Sequence, residues 1–138
     1  MLQLSASRAS LLAGLSRSAV TDLLGGRLPG IDLVEKLAVA LAIAPSQLAF
    51  GQASALMADR HRRLSTGVGQ RLRIAREKAQ LDKTALAAKA GVSRGMVLYI
   101  ETGRSMPSVA IIEALAKALG TTPGALAYGD REPGAKNR

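Results

Sequence analysis

Between residues 81 and 107 the apolar positions fall at helical spacing in two short blocks separated by a glycine. Leu86 and Ala90 lie one turn apart behind Asp82, a residue suited to open a helix. Gly91 is suited to the left-handed conformation that ends one. Ser93 opens the second block, where Val97 and Ile100 share one face while Gly95, Leu98, Tyr99 and Thr102 point the other way. The pattern therefore predicts two short helices, one face packed inward and the other free. A longer helix is expected ahead of them over residues 68–79, with Val68, Leu72, Ala75 and Ala79 inward and Arg71, Arg73 and Lys78 outward. Ser108 opens a helix to Leu119, and Thr122 with Pro123 begins a short last one.

The same grammar runs through the beginning of the chain. Helices are expected over residues 4–13, over 16–24 behind Ser16, over 32–42 from Asp32, and over 45–50 from Pro45. Residues 15–26 lie over 92–103 at a constant offset of 77, which also matches Leu4 to Leu81 and Gly14 to Gly91. After the turn the offset becomes 78, and Leu37, Ala38, Ala40, Leu41, Pro45, Leu48 and Gly51 all meet identical residues in 115–129. The chain reads as a tandem duplication. Four segments are expected: a degenerate first copy over 1–51, a helical linker over 52–66, a complete copy over 67–129 and a flexible tail over 130–138. The first copy lacks room for the helix that opens the second. Ala55, Leu56 and Met57 of a helix over 52–64, or a second subunit, are expected to cover the exposed core face. With no alternating strand pattern anywhere, the fold class is all-α.

Two short helices joined through a glycine make a helix-turn-helix. The string Leu81, Leu86-Ala87, Gly91-Val92-Ser93-Arg94, Val97, Ile100-Glu101, Gly103-Arg104, Pro107-Ser108 and 115–120, LAKALG, resembles the XRE family of phage-repressor-like domains, five helices in about 60 residues. The resemblance runs from Gly67 to about Gly129. It implies a partly buried pair between Arg76 and Glu101; the first copy has Leu24 in place of the Glu. It also implies binding to double-stranded DNA, with the second helix of the motif in the major groove. Carried over by position, Lys83, Thr84 and Arg104 face phosphates, and Ser93, Arg94, Gly95 and Tyr99 are the contact positions of the recognition helix. Arg94 is the candidate guanine reader, because its fork matches O6 and N7. In the first copy the corresponding candidates are Arg17, Ser18, Thr21 and Arg27, beside an Asp22 that phosphate would repel.

Composition then narrows the chemistry. Of 138 residues 48% are hydrophobic, with two Tyr, one Phe and no Trp, so a core must be built from Leu, Ile, Val and Ala. Cysteine is absent, which removes disulfides, thiolate metal sites and cysteine nucleophiles and suits a reducing compartment. Neither a membrane-length apolar run nor a signal-peptide pattern appears, so a cytoplasmic protein that makes no use of membranes is expected. His61 has no ligand partners nearby, neither Gly25-Gly26 nor Gly67-Val68-Gly69 sits between a strand and a helix, and no grouping of Ser, His and acid stands out. An enzyme is not expected, and no cofactor or metal is called for.

Charge points to the partner. The net charge of +9 divides as +1 over residues 1–51, +2 over 52–66, +5 over 67–129 and +1 over the tail. The basic excess sits on the complete copy, and Arg60, His61, Arg62 and Arg63 add a cluster to the linker. A polyanion, most simply duplex DNA, is the natural partner. The function expected is a sequence-specific transcriptional regulator, a repressor acting as a homodimer on two half-sites, with the two copies of one chain as an internal alternative. The competing reading is a protein-binding regulator, such as an antitoxin or anti-activator, that grips its partner with Met96 and Leu98.

Overall fold

The computed structural model describes residues 5, 8, 14–16, 19–59 and 63–131. In chain order the helices are α1 (Ala19–Leu24), α2 (Ile31–Leu41), α3 (Pro45–Phe50), α4 (Val68–Lys78), α5 (Lys83–Ala90), α6 (Arg94–Glu101), α7 (Val109–Leu119) and α8 (Pro123–Tyr128); a 3-10 turn, Ser65–Gly67, leads into α4. The fold is all-helical, and among the described residues the only extended pairing is an antiparallel bridge between Gly30 and Ser108. Of the helix expected over 4–13 only Ser5 and Arg8 are described, the Ser5 hydroxyl accepting from the Arg8 N–H at 3.2 Å; the cluster at 60–62 and the tail from 132 lie outside the described residues.

The C-terminal helices form where the capping residues predict. The side chains of Asp82, Ser93, Ser108 and Thr122 accept from the backbone N–H groups of Ala85, Met96, Ile111 and Ala125, at 2.7 to 3.2 Å, satisfying donors that the first turn leaves unpaired. Gly91 closes α5 at φ +72. Val68, Leu72, Leu86, Val97, Ile100, Ile112, Leu115 and Leu126 are buried together as one core. At Gly69 helix α4 passes so close to α6 that an added Cβ would strike the carbonyl oxygens of Ile100 and Glu101, which brings Arg76 within reach of α6.

Three expectations are corrected here. The stretch from Gly51 to Asp59 is not helical. Its Ala- and Leu-rich composition favours a helix, but tertiary contacts prevail: Ala58 and Leu56 pack on the core, Met57 and Ala55 stay exposed, and Ser54 donates to Asp130 at 2.8 Å. Arg71, expected outward, turns inward. Its guanidinium donates to the carbonyls of Leu64, Leu126 and Ala127 at 2.7, 2.8 and 2.6 Å, gathering the end of α8 and the entry to α4. Burial lowers the Arg71 pKa from its ordinary value, and the charges of Glu35 and Asp130 oppose that shift. Ala79, also expected inward, is exposed.

Helices α2 and α3 match α7 and α8 in length, 11 and 6 residues, each pair displaced by 78 positions. The two pairs meet through α3 and α8. Glu35, buried on α2, accepts from the N–H groups of Leu64 and Ser65 and from the Ser65 hydroxyl, 2.7 Å away. It thereby fastens the N-terminal half to the start of α4.

Candidate nucleic-acid interface

Helix α6 presents the candidate surface, and the chain beneath it explains why it holds still. Val97 and Ile100 are fully buried, with Leu86 of α5 in the same core. Behind them Arg76 meets Glu101, Nε to Oε1 at 3.0 Å, while Arg76 Nη1 donates to the Leu81 carbonyl at 2.9 Å. Both side chains are almost wholly buried, so the pair fixes the angle between α4 and α6 with little competition from water. In the turn after α6, the Tyr99 carbonyl accepts from the N–H groups of Arg104 and Ser105, at 2.8 and 3.1 Å, and Gly103 takes φ +77. Arg104 is thus carried on a folded turn.

On this support Ser93, Arg94, Tyr99 and Arg104 are exposed, Thr84 is exposed at the start of α5, and Lys83 and Gly95 are half-buried. Among the described residues Lys83, Arg94 and Arg104 enter no ion pair, leaving their charges available. Ser93 is partly committed, because its hydroxyl oxygen caps α6. Met96 and Leu98, expected to project outward, are half-buried, and Met96 packs against the core. Tyr99, 47% exposed, is the large apolar side chain that α6 leaves open. This arrangement suits charged and hydrogen-bonding contacts better than an apolar grip.

In the N-terminal half Arg17 and Ser18 lie outside the described residues. Thr21 is exposed on α1, and Arg27, in the turn that follows, stands 3.8 Å from Asp22 with most of its side chain in water. That contact is a weak surface pair. It draws the Asp22 charge toward Arg27. Glu35 and Arg71, the two charged residues that organise the interior, were missed by sequence reasoning. A Glu on the apolar face of α2, between Val34 and Ala38, was the available signal for one; nothing in the chain pattern marked the other.

Among the described residues no group of three metal-ligating side chains comes together, and no helix is long and apolar enough to cross a membrane.

Residues 68–128 match a protein family described as a helix-turn-helix domain. The immunity repressor protein of Bacillus phage phi105 is 41% identical over 59 residues, 43% of this chain and 41% of the repressor. The chain thus aligns with only about two fifths of that relative's length. Among solved structures, the restriction-modification controller protein C.AhdI from Aeromonas hydrophila is 36% identical over 44% of this chain and 92% of its own, with a TM-score of 0.43. The P22 c2 repressor, solved in complex with a synthetic operator, is 33% identical over 46% of this chain and 96% of its own, with a TM-score of 0.44.

Proposed function

We propose, on the premise that residues 68–128 are a helix-turn-helix domain of the XRE, phage-repressor-like type, that the protein is a transcriptional regulator that binds double-stranded DNA sequence-specifically. The observation that carries this reading is the exposed face of α6, flanked by the unpaired Arg94 and Arg104 and held from behind by the buried Arg76–Glu101 pair. Helix α6 enters the major groove. Arg94 reads a guanine with both arms of its guanidinium, and Tyr99 with the small Gly95 lets the backbone approach thymine methyls. Lys83, Thr84 and Arg104 take phosphates on either side, setting register without reading sequence. In the N-terminal half Arg17, Ser18, Thr21 and Arg27 are the matching contacts. The immunity repressor among its relatives supports repression as the outcome.

Gel shifts across a salt series, on duplexes selected from a random pool, test this. Binding is expected to weaken steeply as salt rises, because each neutralised phosphate releases counterions. Arg94→Ala is expected to cost about 1 to 3 kcal/mol on the preferred duplex and to relax preference at one position, whereas Arg104→Ala weakens all duplexes alike. No retention of any duplex at low salt overturns the reading.

A further inference from the structure

The contacts between the two halves obey a rule that helix packing alone does not require. Residues separated by 78 positions meet one another across a common axis. The Ile31 N–H donates to the Pro107 carbonyl and the Val109 N–H to the Pro29 carbonyl, both at 3.0 Å, so the bridge at Gly30 and Ser108 is reciprocal. Phe50 lies against Tyr128, ring centroids 6.2 Å apart. Ser46 faces Gly124 so closely that a Cβ on that glycine would stand 2.6 Å from the Ser46 hydroxyl. Gln52 donates to Asp130 at 3.5 Å, while the Gln52 N–H reaches the Ser46 carbonyl just as the Asp130 N–H reaches the Gly124 carbonyl. Residues that touch their own equivalents are the mark of a twofold, isologous interface.

We infer that the N-terminal half occupies, within one chain, the surface through which the C-terminal domain would otherwise pair with a second copy. The protein is thereby a self-paired unit, and a single chain binds an operator with two unlike halves. The second clause rests on the DNA-binding reading above.

The chemistry along the axis favours pairing within the chain over pairing between chains. Asp130 is buried, and its carboxylate is met by Gln52 and by the Ser54 hydroxyl. In a symmetric pair of C-terminal domains that carboxylate would face another Asp130, and two buried like charges cannot both stay ionised without cost. Gly124 opposite Gly124 would leave empty the space that Ser46 fills, at the loss of its contacts. At these two places the partners are unlike: Asp130 meets Gln52 where it could not meet itself, and Gly124 leaves the room that Ser46 takes. The bridge also joins the turns that follow α1 and α6. Leu24 lies five residues before Pro29 and Glu101 six before Pro107, so the ends of α1 and α6 stand within about 45 Å of each other. That bound admits the roughly 34 to 36 Å between half-sites one helical turn apart. Because α1 and α6 differ in sequence, the two halves of the operator differ as well.

Sedimentation of the full chain is expected to return the mass of one chain. Because the chain has no cysteine, a Gly30→Cys, Ser108→Cys chain provides a clean second reading. The two positions form a non-hydrogen-bonded antiparallel pair with Cα atoms about 4.5 Å apart, within disulfide range, so mild oxidation is expected to give an intrachain bond at unchanged mass. On duplexes selected from a random pool, one chain per duplex is expected, with two protected patches of unlike sequence about one helical turn apart. Cutting the duplex between them is expected to lower affinity roughly 10²- to 10⁴-fold. A dimeric free chain, interchain bonds on oxidation, two chains on one duplex, or a single protected patch overturns the inference. Failure to retain any duplex overturns the DNA-binding reading instead, while sedimentation and oxidation still decide the pairing.

Discussion

The two halves of this chain share a helical plan but differ in how they hold it. In the C-terminal half α7 and α8 begin at Ser108 and Thr122, each with a side-chain cap; at the matching positions α2 and α3 begin at Gly30 and Ala44, with none. The missing cap is worth about 1 kcal/mol at Ala44 and only a few tenths at Gly30. Gly120 ends α7 in the left-handed conformation at no steric cost, whereas Ala42 ends α2 at φ +55, a strain of about 1 to 2 kcal/mol. Glu101 completes a buried ion pair, and Leu24 in the corresponding place is exposed. The N-terminal half does keep the groups that touch the other half: Glu35 on Leu64 and Ser65, Gln52 and Ser54 on Asp130, Phe50 on Tyr128. The difference teaches that one half specifies its own fold while the other is held in place by docking.

The strongest way to break this comparison is to make the C-terminal half resemble its neighbour at position 101. Glu101→Leu leaves Arg76 buried with a carbonyl as its remaining partner, and a stranded buried charge costs about 3 to 5 kcal/mol. Arg76→Met together with Glu101→Leu removes both charges and is expected to recover most of that loss. Urea unfolding of the three chains checks both statements. Equal losses in the single and double variants would mean that the pair contributes packing and no electrostatic matching.

A pair of identical leucines sharpens the contrast. Leu126 on α8 is 2% exposed beside α4, while Leu48 at the matching place on α3 is 37% exposed, and among the described residues no helix covers it as α4 covers Leu126. Leu126→Ala is expected to cost about 2 to 5 kcal/mol, transfer and cavity terms together. Leu48→Ala is expected to cost less, about 1 to 2 kcal/mol, since more than a third of that residue already meets water. Comparable losses would mean that α3 carries a core of its own.

The sequence was legible where structure is encoded locally. Asp82, Ser93, Ser108 and Thr122 announce helix starts because a cap acts on a backbone group only three residues away. The 78-residue offset was likewise legible from identical residues alone. What could not be read depends on groups far apart in the chain. Arg71 belongs to a row of basic residues that periodicity assigns to solvent, and its inward turn follows from the carbonyls that end α8, some 55 positions away. The residues after Gly51 have helical composition, yet Ala58 and Leu56 gain more from the core than a short isolated helix would return. On the candidate surface Arg94, Tyr99 and Arg104 sit exposed, whereas the partial burial of Met96 depends on packing that no motif states.

The smallest effect tests the axis itself. Tyr128 donates its hydroxyl to the Ile31 carbonyl at 2.8 Å, a bond that its counterpart Phe50 cannot return. Tyr128→Phe leaves the ring contact and removes that one bond, so a loss of about 1 kcal/mol is expected. Burial, then the charges of Glu35, Asp32 and Asp130, hold the Tyr128 pKa well above its ordinary value. The folded chain therefore keeps this proton after the unfolded chain begins to lose it. The Tyr128 contribution is fully present below about pH 10 and shrinks as pH rises further. Thermal unfolding of the native and Tyr128→Phe chains is thus expected to show a gap that is constant at neutral pH and narrows in alkali. A gap that stays constant into alkali instead would place the Tyr128 hydroxyl in water, away from Ile31, and the contact between the halves would lose the asymmetry that sets it apart from a pairing of two identical surfaces.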